Sequence, residues 1–491
     1  MTLRHVVIAL TACVACSGTA RADGLAEELK GRRERLMRSL GPDTMAVFWS
    51  APERQYSRDV GYEYRQDSDL LYLTGITQPD TILVMMPGNR SRRELLFIRP
   101  SDPVREHWEG HRLTKEEATA LTGITAIYPT PQFDTFLSLT FDEAPFEPGS
   151  RRAALDDNEY ATFFGAVAAG RAKIGLRLPP VPAGDEPLGA EREFARQARD
   201  RFLGVSFLDT APLVAALRQI KTPYEQQVLT RSVEISSDAH VAGMKAARPG
   251  RYEYEVEAAI EQVYLANGAM SPGYPSIVGS GPNATTLHYN ASTRRMEDGD
   301  LLLVDAAANY QGLTGDITRT YPVNGRFSPL QRDIYELVLA AQEAAMKTAR
   351  AGNRTSDIEK AAEEVVKAGL LKLGLVTDTS GDQFRTWYTH GICHWIGMDV
   401  HDVGDYRKPL EPGMSFTIEP GLYIRPAALE TLPDTPENRA FKEKVRPTVE
   451  RYKDIGARVE DSFLLTDKEL VLLSSKVPRT IADIEATLAS R

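Results

Sequence analysis

Cysteine is almost missing from this chain, with three in 491 residues. Cys13 and Cys16 fall among the first 22 residues and Cys393 stands alone, so the rest of the chain has no intrachain disulfide and depends on its core. Beyond residue 22 no stretch approaches 18 uninterrupted apolar residues, which leaves no candidate for a spanning helix. Positive charge is also in deficit: 58 Lys and Arg stand against 68 Asp and Glu, a net charge of −10. Nucleic acid and anionic membrane are therefore poor partners, since neither would be attracted electrostatically. Histidine is scarce at eight residues, yet three of the eight lie within His390–His401.

The first 22 residues read as an address. Arg4 and His5 give a basic start, Val6–Cys16 is an apolar run too short for a stable anchor, and Ala20-Arg21-Ala22 is a small-residue cleavage site. A secretory signal peptide cut near Ala22 predicts an exported protein, periplasmic or secreted, whose mature chain loses Arg4 and Arg21 and carries a charge of −12. The remaining length is ample for two or three domains. From Asp23 to about residue 215 helices alternate with strands such as Thr81–Met86 and Arg93–Ile98, an α/β texture. Within it Tyr64–Thr74 reads as a polar lead-in to a strand, and Pro179–Leu188 as a surface loop.

From about residue 216 the texture changes to long helices with start signals. Thr222-Pro223-Tyr224-Glu225 and Ser328-Pro329-Leu330-Gln331 are capping boxes with proline at the first helical position, and Ser356-Asp357-Ile358-Glu359 reads as a third. Behind the second and third boxes, apolar stripes through Ile334, Leu337, Val338 and Ala341, and through Ile358, Ala362, Val365 and Val366, predict one buried face per helix.

The chemistry is concentrated around LLLVDAAANYQGLTGDITRTY, Leu301–Tyr321, which reads as two short strands joined by a turn. An ionised aspartate buried in a run such as Leu301–Ala306 costs several kcal/mol without a partner, so Asp305 requires positive charge nearby. Alternation places Asp316, Thr318 and Thr320 on one face of the second strand. In Met414–Pro420, Glu419 falls on the face opposite Met414, Phe416 and Ile418; in Ala457–Leu464, Arg458, Glu460 and Ser462 share a face. His390, His394 and His401 are interspersed with Gly391 and Gly397, which permit close backbone approach. Asp305, Asp316, His394, Glu419 and Glu460 thus arrive from separate strands and one glycine-rich loop. Four converging carboxylates repel one another, and two divalent cations neutralise them. The oxygen-rich shell with one imidazole suits manganese, cobalt or iron better than a structural zinc.

GDITRTYPVNGRF (Gly315–Phe327), HGICHWIGMDVHDVG (His390–Gly404), EPGLYI (Glu419–Ile424) and IGARVED (Ile455–Asp461) resemble the motifs of aminopeptidase P, a family of pita-bread metallopeptidases related to prolidase, methionine aminopeptidase and creatinase. The resemblance covers Leu217–Leu473 and extends more weakly to Tyr64–Gly75. It implies an N-terminal α/β domain over residues 23–215 and a C-terminal pita-bread catalytic domain over residues 216–491, an α/β (α+β) architecture. Two metal ions, manganese foremost, are implied: Asp305 binds one, Asp316 and Glu460 bridge, and His394 and Glu419 complete the other. Glu419 is also implied as proton acceptor. His288, in LHYN, resembles the histidine that contacts the reacting substrate, and His390 and His401 those that hold the scissile peptide; Tyr423 and Arg458 resemble the residues that position ligand carboxylates. The implied substrate is a peptide with proline second, whose first residue is released. Prolidase, restricted to Xaa-Pro dipeptides, is the alternative of the same fold, and a creatinase-like or metal-free binding homologue is the rival of another class. Relatives assemble through their N-terminal domains, which implies a homo-oligomer.

Overall fold

The structure is a computed structural model, and it describes residues 24–142, 144, 146, 159–178, 190–201 and 204–491. The signal-peptide reading and the loop at Pro179–Leu188 lie outside the described residues. Two compact units divide the chain between Leu217 and Arg218.

The first unit is built on a six-stranded mixed sheet in the order Ile127–Pro129, Glu94–Ile98, Ile82–Met85, Thr44–Trp49, Lys173–Leu176, Ser206–Asp209. The strand Thr44–Trp49 is central, antiparallel to Ile82–Met85 and parallel to Lys173–Leu176. Its inward residues Met45 and Val47 join Val84, Phe97, Phe133, Phe136 and Ile174 in one aromatic-rich core. The polar lead-in at Tyr64–Thr74 is a helix, Ser68–Thr74, and not the approach to a strand. Asp67 caps it by accepting from the backbone N–H groups of Asp69 and Leu70, and Gly75, at φ 69°, closes it in the left-handed conformation.

In the second unit, the helices Pro223–Ala246 and Pro329–Thr348 begin at the expected capping boxes. Thr355–Leu373 starts one residue ahead of Ser356, with Asp357 accepting from the Arg354 N–H at 2.8 Å. Ile334, Val338 and Ala341 are buried, as are Ile358, Ala362 and Val366, while Leu337 and Val365 sit at the margins of those stripes. The helix Pro223–Ala246 packs against Glu253–Ala266, and Pro329–Thr348 against Thr355–Leu373.

Between the helices run short, strongly buried strands. Leu301–Tyr321 is four strands and not two: Leu301–Asp305 pairs directly with Thr318–Pro322, while Ala308–Tyr310 and Leu313–Thr314 form a hairpin in a separate sheet. Gly312, at φ 84°, makes that tight turn possible. Asp316 therefore precedes its strand, between the hairpin and Thr318. The expected strand Ala457–Leu464 is likewise broken. Ile455–Arg458 pairs with Gly421–Ile424, and Asp461–Leu465 with Ser415–Ile418. Glu460 falls in the break and bridges instead to Thr318. Both interruptions occur at ligand candidates, where the backbone leaves one sheet for another and turns a carboxylate inward.

Candidate metal centre

Strand register assembles the centre. Asp305 lies opposite Thr318 in one sheet, and Thr318 pairs with Glu460 through backbone hydrogen bonds of 3.1 and 3.4 Å. The Thr318 hydroxyl donates to Glu460 Oε2 at 2.5 Å and accepts from Arg458 Nε at 2.9 Å. From the loop side, Thr417 and Glu419 donate backbone N–H bonds to His394 and Ile392, which lays the histidine segment along the strand Ser415–Ile418. Asp305, Asp316, His394, Glu419 and Glu460 all line one cavity of ≈ 430 Å³, together with His288, His390, His401 and Arg458.

His394, Asp316 and Glu460 form the tightest group, their ligand atoms lying within 4.8 Å of one another. His394 Nε2 stands 3.2 Å from Glu419 Oε1, 3.4 Å from Asp316 Oδ2 and 3.9 Å from Glu460 Oε1. Its Nδ1 is 3.1 Å from the carbonyl of Trp395; as N–H donor there, it leaves Nε2 as the nitrogen that faces the carboxylates. Asp305 joins the group with Arg458 donating to its Oδ2. Arg458 also donates to the Tyr423 hydroxyl at 2.8 Å, and that hydroxyl lies 2.8 Å from His390 Nε2. His390, Tyr423, Arg458 and Asp305 thus form one connected chain.

Tyr274 escaped the sequence reading. Its hydroxyl lies 2.6 Å from Asp305 Oδ1 and 2.5 Å from Asp316 Oδ1. A phenol has one proton to donate, so serving both carboxylates requires a proton on one of them. Burial, with Asp305 beside it, pushes Asp316 up to about 7. No periodic pattern marks Tyr274; the pairing of Ile277 with Asp305 after it, and of Pro272 with Ala308 before it, carries the segment to the centre.

The electrostatics are those of a crowded acidic site. Burial and Asp316 push Glu460 far above the ordinary carboxylate range. Burial opposes ionisation of Glu419 too, but the hydrogen bond and charge of His394 overcome it and hold Glu419 down to about 2. Burial alone would lower His394; its contacts with Asp316 and Glu419 instead raise it well above an ordinary imidazole. His390 and His401 are both lowered by burial, His401 further by His394, whose ring meets it edge-on at 4.4 Å. His288 and His401 are exposed at the cavity mouth.

Glu460 Oε1 is buried without a hydrogen-bond partner. An orphaned carboxylate oxygen, four carboxylates and one imidazole make a donor set suited to hard divalent cations, and the residues present fit such ions.

Residues 227–467 match the metallopeptidase family M24, and residues 29–145 match the aminopeptidase P N-terminal domain. The chain is 34% identical to the Xaa-Pro aminopeptidase of Haemophilus influenzae, over 94% of this chain and 96% of that one. It is 33% identical to the Xaa-Pro aminopeptidase of Escherichia coli, over 94% and 98%. The chain belongs to the aminopeptidase P family of M24 metallopeptidases. Among solved structures, Pseudomonas aeruginosa aminopeptidase PepP superposes with a TM-score of 0.78 at 33% identity, covering 95% of this chain and 98% of that one. Escherichia coli aminopeptidase P bound to the inhibitor Pro-Leu gives 0.77 at 31% identity, with the same coverage. As an aminopeptidase P relative, the chain is a metalloaminopeptidase with an N-terminal domain and a pita-bread domain.

Proposed function

We propose that the protein is an exported, dinuclear metal-dependent Xaa-Pro aminopeptidase that releases the first residue from peptides with proline second. The observation that carries this reading is the meeting of five ligand-type side chains with three histidines in one cavity. Its support from relatives is that curated proteins matching nearly the whole chain are named Xaa-Pro aminopeptidase.

Asp305, Asp316, His394, Glu419 and Glu460 would hold two divalent ions, with manganese the favoured metal. When bound, such ions supply the Lewis acidity that polarises a carbonyl and acidifies water. The protein's own groups do the rest. Glu419, ionised at neutral pH, accepts the proton of the attacking water and passes it toward the proline nitrogen as the C–N bond breaks. His401 and His288, at the cavity mouth, donate to the oxyanion of the tetrahedral intermediate. His390, steadied by Tyr423, holds the scissile peptide, and Arg458 orients Asp305. The Xaa-Pro bond has no N–H and a fixed φ, so a site shaped for it takes a substrate that general peptidases fit poorly.

The test compares Arg-Pro-Pro with Ala-Pro, manganese added after chelation. Release of arginine from the tripeptide supports the proposal; turnover of the dipeptide alone assigns a prolidase. Export follows from the leader composition, and mass spectrometry of the exported protein should find Asp23 first. A homo-oligomer and a domain division near residue 215 complete the proposal, the first tested by light scattering.

A further inference from the structure

His401 sits in an irregular segment, and neither strand nor helix fixes it. The residue after it is anchored with unusual thoroughness. The Asp402 side chain is 1% exposed and receives two cations: Lys221 Nζ donates to Oδ2 at 3.0 Å, and Arg218 donates to Oδ1. Arg218 also pairs with Asp399 at 2.7 Å, so two cations face two carboxylates. The ammonium of Lys221 further donates to the Arg218 carbonyl at 2.5 Å. Between these cations, Gln219 brackets the backbone of Asp405, accepting its N–H at 3.2 Å and donating to its carbonyl at 3.3 Å.

The loop closes onto the same place. Asp402 donates its N–H to the Trp395 carbonyl at 2.8 Å, and Gly397 accepts from the Thr314 N–H at 2.8 Å, two residues before Asp316. Gly397 is needed for the approach, because a Cβ there would come within 2.1 Å of Asp402 Oδ2 and 2.8 Å of Lys221 Nζ. The segment Arg218–Lys221 thus grips the loop on both sides of His401, while His394, at the other end, faces the carboxylates.

We infer that Asp402, clamped by Arg218 and Lys221, is a positioning residue that sets the reach of His401 into the cavity. The inference rests on the role proposed above for His401. Asp402 buried against Arg218 and Lys221 is a stiff anchor, since displacing the carboxylate leaves two cations without it in a low-dielectric interior. A rigid anchor one residue from a transition-state donor matters because a misplacement of about 1 Å can cost about a hundredfold in rate.

The experiment uses the full chain loaded with manganese and measures kcat, KM, metal content and Tm for Asp402→Asn, Gln219→Ala, His401→Ala and the two combinations with His401→Ala. Asp402→Asn should lower kcat about a hundredfold, with KM little changed and both metals retained. Gln219→Ala should lower kcat several-fold by the same route. In the His401→Ala background neither should reduce kcat further, because residues acting through one another are not additive. If the Asp402 variant fails to fold, the milder Gln219 variant decides. Losses that multiply with His401→Ala, or wild-type kcat in the folded variants, overturn the clamp while His401 keeps its role. Wild-type kcat in His401→Ala overturns the role of His401, and the clamp with it.

Discussion

Two buried ionic clusters of the second unit are built in opposite ways. Around Asp402, two carboxylates meet two cations, and although burial opposes its ionisation, Lys221 and Arg218 hold it below its ordinary value. Around Glu460, carboxylates outnumber cations, one oxygen has no partner, and Asp316 and Glu460 are pushed upward. A third cluster, Arg319 with Asp461, Ser474 and Gln342, follows the closed pattern. Closed clusters hold the backbone in place; the open one stores the repulsion that a bound cation relieves. Unbalanced burial of charge therefore marks the functional site more sharply than burial of charge itself.

Removing an open-cluster carboxylate should have the largest effect. Glu460→Ala or Asp316→Ala should abolish peptide hydrolysis, a loss beyond the roughly 10²–10³-fold cost of one oxyanion donor. In metal-free protein at alkaline pH, where Glu460 is driven to ionise, Glu460→Gln should nonetheless raise the Tm, because it removes a buried like charge; a fall in Tm there would place Glu460 with the closed clusters. Breaking a closed cluster should do the reverse. Arg319→Met leaves the Asp461 charge buried without its cation, at a cost of about 3–5 kcal/mol by urea denaturation; a loss under 1 kcal/mol would show that Ser474 and Gln342 hold the carboxylate without it.

Chelation should lower the Tm, and manganese at about a hundred times its Kd should restore about 2.7 kcal/mol. A Tm indifferent to both treatments would count against the metal centre. The smallest effect is a pH dependence confined to chelated protein. Asp316 has a folded pKa of about 7 against an ordinary 3.8, so the native state holds its proton longer than the unfolded chain. Stability then falls as pH rises between those values, and Glu460 acts in the same direction. Glu419 and Asp402, shifted downward, act below about pH 4.5, whereas the lowered His240, His390 and His401 work against this fall up to their ordinary 6.5, with or without metal. Differential scanning calorimetry should therefore show the Tm gained on adding manganese growing from pH 5 to 7.

Much of this was legible in the chain. Proline at the first helical position after Thr222 and Ser328 names its own helix start, because capping is decided within four residues. All five ligand candidates came from carboxylates and a histidine placed where local pattern wants apolar side chains or turns. Such violations are expensive, so they stand out. Local pattern misled where alternation is compatible with either state: Ser68–Thr74 is helical because Asp67 and Gly75 cap both ends of a seven-residue run.

What sequence determined alone, then, is which residues are out of place: Asp305 in an apolar run, three histidines among glycines, and start signals that depend on neighbours. Only the tertiary structure decided where strands break and which groups meet. Asp316 and Glu460 leave their strands because Thr318 bridges two sheets, Tyr274 reaches two aspartates through a register 28 residues away, and Asp402 finds Lys221 across 181. Those contacts join segments far apart in the chain, and strand register and packing, which no local propensity encodes, bring them together.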